Sequence, residues 1–288
     1  VTTGSSAGFI LAFLSMFEPG DRVAIANPGY PPYRHILTAL GCEPVLIETG
    51  EATRYAMTGE SLRAAHRKKK LAGVLVASPA NPTGTMMTAE ALSDLIAYCD
   101  QAGIWFISDE IYHGLDYAGE QKTALETSQN AIIINSFSKY YCMTGWRIGW
   151  MVLPEQLVRP TERIAQSLYI SPPELSQIAA ASALDAVQEL EAVKAGYAAN
   201  RELLVKGLPE IGFDKLLPVD GAFYIYADIS RFSNDSLDFA KRMLHESGVA
   251  ATPGVDFDPV HGKEFMRFSF AGAHDDMKTA LQRLKDWI

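Results

Sequence analysis

Six short apolar runs, each separated from the next by a segment long enough for a helix, constrain the fold of this 288-residue chain more than any other feature. They are Arg22 to Ala26, Pro44 to Ile47, Val74 to Ala77, Ile104 to Ile107, Ala131 to Ile134 and Ile148 to Val152. Such alternation predicts an α/β fold, a mostly parallel sheet sandwiched by helices. Helices are expected at Ala7 to Phe17, Pro31 to Leu40, Leu62 to Leu71 and Ala89 to Ala102, with Gly41 and Gly103 closing the second and fourth. The basic run Arg67-Lys68-Lys69-Lys70 suits the end of the third, where positive side chains meet the negative pole of the helix.

Beyond residue 184 the pattern changes. A long helical stretch from Leu184 to Leu208 is followed by short strands at Gly221 to Tyr226 and Phe265 to Ser269, with helices at Ser236 to Ser247 and His274 to Trp287. We therefore expect a large domain over residues 1–186 and a smaller α+β C-terminal domain over 187–288. With 48% hydrophobic residues the chain can bury a core for both. A formal net charge of −9 argues against nucleic acid as a partner, because phosphate backbones are bound through clustered Lys and Arg. Cys42, Cys99 and Cys142 form neither a paired framework nor a metal-type spacing, which fits a reducing cytoplasm. No stretch has the length of a membrane span and no signal peptide is visible, so neither a membrane nor a metal is expected among the partners.

The polar residues at the ends of the apolar runs are more informative than the runs themselves. Tyr30 comes after the first, Asn81 after Val74 to Ala77, Asp109 after Ile104 to Ile107, and Lys139 after Ala131 to Ile134. Ligands of open α/β sheets bind beyond the carboxyl ends of the strands, so these groups are aimed at one cleft. A lysine delivered there by a buried strand suggests covalent chemistry, since partial desolvation lowers the pKa of an amine that must attack a carbonyl. Asp109 poses the complementary problem, because a carboxylate directly beyond a buried strand is costly without a partner. Ser5 and Ser6, in Thr3-Gly4-Ser5-Ser6-Ala7, open a helix whose free amides favour an anion.

Asn81-Pro82-Thr83-Gly84, Ser108-Asp109-Glu110-Ile111-Tyr112 and Ser136-Phe137-Ser138-Lys139 stand in the order and at the spacing of the class I/II aminotransferases. The chain resembles these pyridoxal 5'-phosphate (PLP) enzymes of fold type I, the aspartate aminotransferase superfamily, over essentially its whole length. The resemblance implies a ping-pong transfer of an amino group between an amino acid and a 2-oxo acid. It implies that Lys139 holds the cofactor covalently and then serves as the base. Asp109 pairs with the pyridine nitrogen, Asn81 and Tyr112 bond the 3'-oxygen, and Tyr30 stacks on the ring. Ser5, Ser6, Ser136, Ser138 and Arg147 cradle the phosphate, and Arg267, with Asn81 beside it, grips the substrate carboxylate. It also implies a homodimer with small-molecule partners. Because Val1 opens the chain directly before Thr3-Gly4, where relatives carry a sizeable further segment, the chain is expected to begin inside a domain.

Three other readings compete. A C–S lyase of the same fold type uses almost the same cofactor residues, and a non-catalytic PLP-binding regulatory domain would share them. Gly4-Ser5-Ser6-Ala7-Gly8 also satisfies the nucleophile elbow of α/β-hydrolases, with Asp220 and His261 in the right chain order. The hydrolase reading leaves Asn81, Asp109, Tyr112, Lys139 and Arg147 unexplained. Leu168 to Pro173 is a candidate contributor to the side-chain pocket, and no second arginine marks a dicarboxylate substrate.

Overall fold

In the computed structural model, which describes residues 1–288, the apolar runs become β1 (Arg22–Asn27), β2 (Glu43–Glu48), β3 (Gly73–Ala77), β4 (Trp105–Asp109), β5 (Ile132–Ser136) and β6 (Gly149–Val152). They form one sheet in the order β2-β1-β3-β4-β5-β6, with β1 to β5 parallel and β6 antiparallel at the edge. Side chains alternate between its faces, as the twofold period of a strand requires. In β3, for example, Val74 and Val76 join one buried cluster and Leu75 the other.

Both faces are covered, which is why the strands read as continuous apolar runs. Leu62 of α3 (Gly59–Lys68) and Leu92, Leu95 and Ile96 of α4 (Ala89–Ala102) fill one side. The other is filled by Phe9 and Phe13 of α1 (Ser5–Met16), Tyr33 and Leu37 of α2 (Pro31–Ala39) and Leu157 of α5 (Glu155–Leu168). Helix α4 starts where the Thr88 hydroxyl accepts from the Ala91 amide and stops at Gly103, whose φ of 67° is cheap only for glycine.

After α6 (Glu174–Ala183) and the 24-residue α7 (Val187–Glu210), a second sheet forms in the order β7-β9-β8 from β7 (Tyr224–Asp228), β8 (Thr252–Pro253) and β9 (Phe265–Ser269). Its core is separate. Leu204 and Leu208 of α7, Phe239 and Met243 of α8 (Ser236–Ser247) and Leu284 of α9 (His274–Trp287) pack on Ile225, Ala227, Met266 and Phe268. We propose the domain boundary at 186/187, supported by this second core and by the start of α7.

Three differences from the sequence reading have physical reasons. Helices α5 and α6 are not among the expected helices, and little of either is buried within the chain: α5 buries only Leu157 and Thr161 and α6 only Ser176 and Ala180, leaving apolar side chains such as Leu168, Leu175 and Ile178 exposed. Strand β7 begins at Tyr224, not Gly221, because Asp220, Gly221 and Ala222 donate their amides to Gly84 and Leu115 in a turn, and Ala222 sits at φ 59°. Helix α3 ends at Lys68, and the chain reaches β3 by Gly73 without a helical exit through Leu71.

Candidate active site

Register sets the geometry. Ala77 lies opposite Asp109, and Asp109 opposite Ile134, so β3 and β4 end level and β5 runs on two residues to Ser136. Tyr30 stands at the N-terminus of α2 just beyond β1, and Lys139 follows the end of β5 by three residues. The neighbours of β1 are β2 and β3, so the crossover direction reverses there, and the crevice opens at that switch point.

Asp109 is fully buried. Its Oδ2 accepts from the Tyr33 hydroxyl, and its Oδ1 from the Ile111 amide at 3.1 Å. Burial pushes this carboxyl up to about 6, against the lowering pull of Tyr33, the Ile111 amide and Lys139. Lys139 answers in the opposite direction. Burial, then the Arg267 guanidinium, lowers its amine pKa, while Asp109 partly restores it. Lys139 Nζ sits 5.4 Å from the centre of the Phe223 ring and 5.8 Å from that of Tyr112.

Tyr112 donates its hydroxyl to the hydroxyl of Tyr224 at 3.1 Å, and burial raises its phenol well above the ordinary range. Tyr224 also forms one side of a cage around Arg267. The guanidinium carbon lies 4.1 Å from the Tyr224 ring centre and 4.6 Å from that of Phe257. Arg267 Nη1 donates to Asn81 Oδ1 at 2.8 Å and Nη2 to Thr252 Oγ1 at 3.2 Å, while its buried Nε has no partner. An orphaned donor on a cation is expensive, and an anion at this edge would supply the missing acceptor.

At the other end of the crevice Arg147 approaches the start of α1. A Cβ on Gly4, whose φ is 90°, would lie 2.6 Å from Arg147 Nη2, so glycine leaves room for the guanidinium. No side chain caps α1, and its first-turn amides, including those of buried Ser5 and exposed Ser6, face the positive pole of the helix. Ser136 and Ser138 are buried nearby with their hydroxyls bonded to one another at 2.9 Å, and Ser136 Oγ also donates to the Ile148 carbonyl. Tyr30 is partly buried, edge-on to Tyr33, and feels Asp109, Arg267 and Arg147.

The crevice thus gathers Tyr30, Asn81, Asp109, Tyr112, Lys139 and Arg267, with Arg147 at its far end. Sequence reasoning missed Tyr33, Phe223, Tyr224, Thr252 and Phe257. Tyr33 alone left a signal, one helical turn beyond Tyr30 on α2. Asp220 and His261 have other partners. Asp220 takes Arg54 Nη2 at 2.8 Å and the Met86 amide at 3.1 Å, while His261 faces Glu48 at 3.9 Å.

Residues 1–284 match the model of the family described as aminotransferase class I and II. A valine–pyruvate aminotransferase of Mycobacterium tuberculosis is 52% identical over 292 residues, covering 100% of this chain and 75% of that protein. A (5-formylfuran-3-yl)methyl phosphate transaminase of Methanocaldococcus jannaschii is 34% identical, covering 100% and 74%. Among solved structures, an aminotransferase from Mycobacterium tuberculosis superposes with a TM-score of 0.96 at 52% identity, over 99% of this chain and 74% of that one.

Proposed function

Since the chain belongs to the class I and II aminotransferases and is itself an aminotransferase, we propose that it works with PLP held by Lys139 and takes an amino acid with an apolar side chain as donor. The carrying observation is buried Asp109 and half-buried Lys139 between two cationic groups, Arg147 beside Gly4 on one side and the Arg267 guanidinium on the other. These residues fit PLP. An ionised carboxylate as deeply buried as Asp109 needs a cationic partner, and a protonated pyridine nitrogen is one. The uncapped start of α1 beside Arg147 fits a phosphate. The C–S lyase, regulatory-domain and hydrolase readings are not favoured by the aminotransferase relatives.

When bound, PLP supplies a carbonyl that condenses with amines and a conjugated ring that takes up electron density from the substrate Cα. The residues do the rest. Arg267 holds the substrate carboxylate through its free Nε and adjacent Nη2, which fixes the direction of the Cα–H bond. Lys139 Nζ, with a pKa lowered first by burial, would take the proton from the substrate Cα. Asp109 would hold a positive charge on the ring nitrogen, and Tyr112, Asn81 and Tyr30 would orient the ring. Run backwards with a second 2-oxo acid, the same steps give ping-pong kinetics.

The apolar donor is supported by the Phe223 and Tyr112 rings beside Nζ and by the name of the 52% identical relative. A homodimer is supported by the exposed apolar side chains on and around α5 and α6, among them Trp146, Leu168, Ile170 and Leu175, the last two 81% and 76% exposed. A cytoplasmic location is supported by three free cysteines. The test is to incubate the chain with PLP, reduce with borohydride and map the cofactor's mass. It should reside on Lys139, be lost in Lys139→Ala, and disappear on prior mixing with valine faster than with aspartate. Mass fixed equally on other lysines, or no discharge by any amino acid, would end this reading.

A further inference from the structure

The carboxylate-binding arginine is held by a loop of its own sheet that is itself fastened to the opposite layer of the molecule. Residues 254–264 join β8 to β9, and within them Phe257 presents its ring to one face of the Arg267 guanidinium. A ring on a loose loop would restrain nothing. Here the Phe257 carbonyl accepts from the Gly29 amide at 3.1 Å, and the next residue, Asp258, accepts from Asn27 Nδ2 at 2.8 Å. Asp258 and Asn27 are 3% and 1% exposed, so the bond between them is shielded from water, although Asn27 Nδ2 also lies 3.1 Å from the Glu48 carboxylate. Asn27 is the last residue of β1 and Gly29 immediately precedes Tyr30. Two consecutive loop residues are therefore tied to the turn that carries the ring-stacking tyrosine.

All three donors to the Asp258 side chain meet the same oxygen. Besides Asn27, the amides of Val260 at 2.8 Å and His261 at 2.9 Å reach Oδ1. The carboxylate thus folds its own loop and docks it with one atom, leaving Oδ2 outside that network. An amide in its place keeps every bond, which separates geometry from charge.

We propose that Asp258 is a positioning residue for substrate binding, seating Phe257 against Arg267 so that the guanidinium presents its free edge to the α-carboxylate. This rests on Arg267 being the group that binds that carboxylate. Without the seat, the guanidinium retains Tyr224, Asn81 and Thr252 but gains freedom on the Phe257 side. The grip on the carboxylate is equal in the bound and reacting states, so its weakening falls on KM and leaves kcat.

The experiment uses the PLP-loaded enzyme and follows its visible spectrum on mixing with valine or with isobutylamine, which is valine without its carboxylate. Asp258→Ala should raise the KM for valine by roughly 10-fold or more, with kcat and the isobutylamine rate little changed, and Asp258→Asn should restore the valine KM. Phe257→Leu, which leaves the Oδ1 network and the backbone bonds intact, should reproduce the KM effect even if Asp258→Ala fails to fold. Loss of the isobutylamine rate in step with valine would overturn the proposal, as would an unchanged valine KM in Phe257→Leu or Asp258→Ala. Failure of the wild-type enzyme to react with valine at all would instead count against the apolar amino acid as donor.

Discussion

Asp109 makes the protein without cofactor less stable as its carboxyl ionises, and the size of that effect can be worked out. Its pKa is raised from 3.8 to about 6, with burial the leading cause. A raised carboxyl pKa means that the folded state binds the proton more tightly than the unfolded chain. Stability therefore falls as pH rises from the unfolded value through the folded one, and the penalty is complete above about 6. A shift of about two units corresponds to about 3 kcal/mol, since each unit is worth ~1.4 kcal/mol. For 288 residues, at ~2 cal/mol/K of unfolding entropy each, that is a difference of roughly 5 °C in melting temperature. Asp109→Asn keeps an acceptor for Tyr33 and Ile111 but cannot ionise. Melts of wild type and variant without PLP, from pH 4.5 to 8, isolate the group, because other titrations cancel in the difference. We expect Asp109→Asn to gain on wild type by about 2 kcal/mol between the two ends of that range, the rest of the penalty being already present at pH 4.5, where the unfolded carboxyl is mostly ionised. Added PLP should reverse the order at pH 7.5, since the ring nitrogen gives the carboxylate its missing cation. A difference between the two proteins that does not change with pH would refute the claim that burial, uncompensated, governs Asp109.

Three further substitutions probe the same crevice. Tyr33→Phe removes a donor to that carboxylate, so it should destabilise the protein by about 2 kcal/mol at pH 7.5 and less at pH 5, where the acid is protonated; paired urea titrations at the two pH values check this. Gly4→Ala puts a methyl 2.6 Å from Arg147 Nη2 at a φ of 90°, and should lose about 1–3 kcal/mol of stability together with PLP affinity, read by melting and by fluorescence titration of the cofactor. Arg267→Lys keeps the charge but loses the planar fork and both ring contacts, so kcat/KM for valine should fall about 100-fold or more, equivalent to ~3 kcal/mol, in a coupled assay with pyruvate as acceptor.

Much of this was legible in the sequence because it is local. The strand runs, the Gly103 cap that ends α4, and the polar residue after each strand depend on neighbours a few positions apart. Placing Asp109 and Lys139 on one edge then requires only the parallel arrangement. The second layer of the site was not legible, because it is created by assembly. Tyr33 meets Asp109 across 76 positions, Tyr112 meets Tyr224 across 112, and Asn27 meets Asp258 across 231. No spacing rule links such residues, and each alone reads as a packing tyrosine, a turn or a loop acid. The turn at Ala222 was hidden for a related reason. Its positive φ is held by amides bonded to Gly84 and Leu115, which lie in another part of the chain.

The charge distribution gives the crevice a direction. The chain carries a net charge of −9, yet Lys139 has two guanidiniums, Arg267 and Arg147, in its field and one carboxylate, Asp109. With all four ionised, the site is positive on a negative molecule. That excess is unfavourable until anions arrive, and after burial, the leading cause, it lowers the Lys139 pKa. In the function we propose, the two arginines would take the anionic ends of different molecules, a phosphate at the helix start and a carboxylate on the caged guanidinium. The reacting atoms between them would then be fixed at both ends beside Nζ. The field that would draw the ligands also favours the neutral amine that must move a proton, so binding and catalysis would draw on one asymmetry of charge.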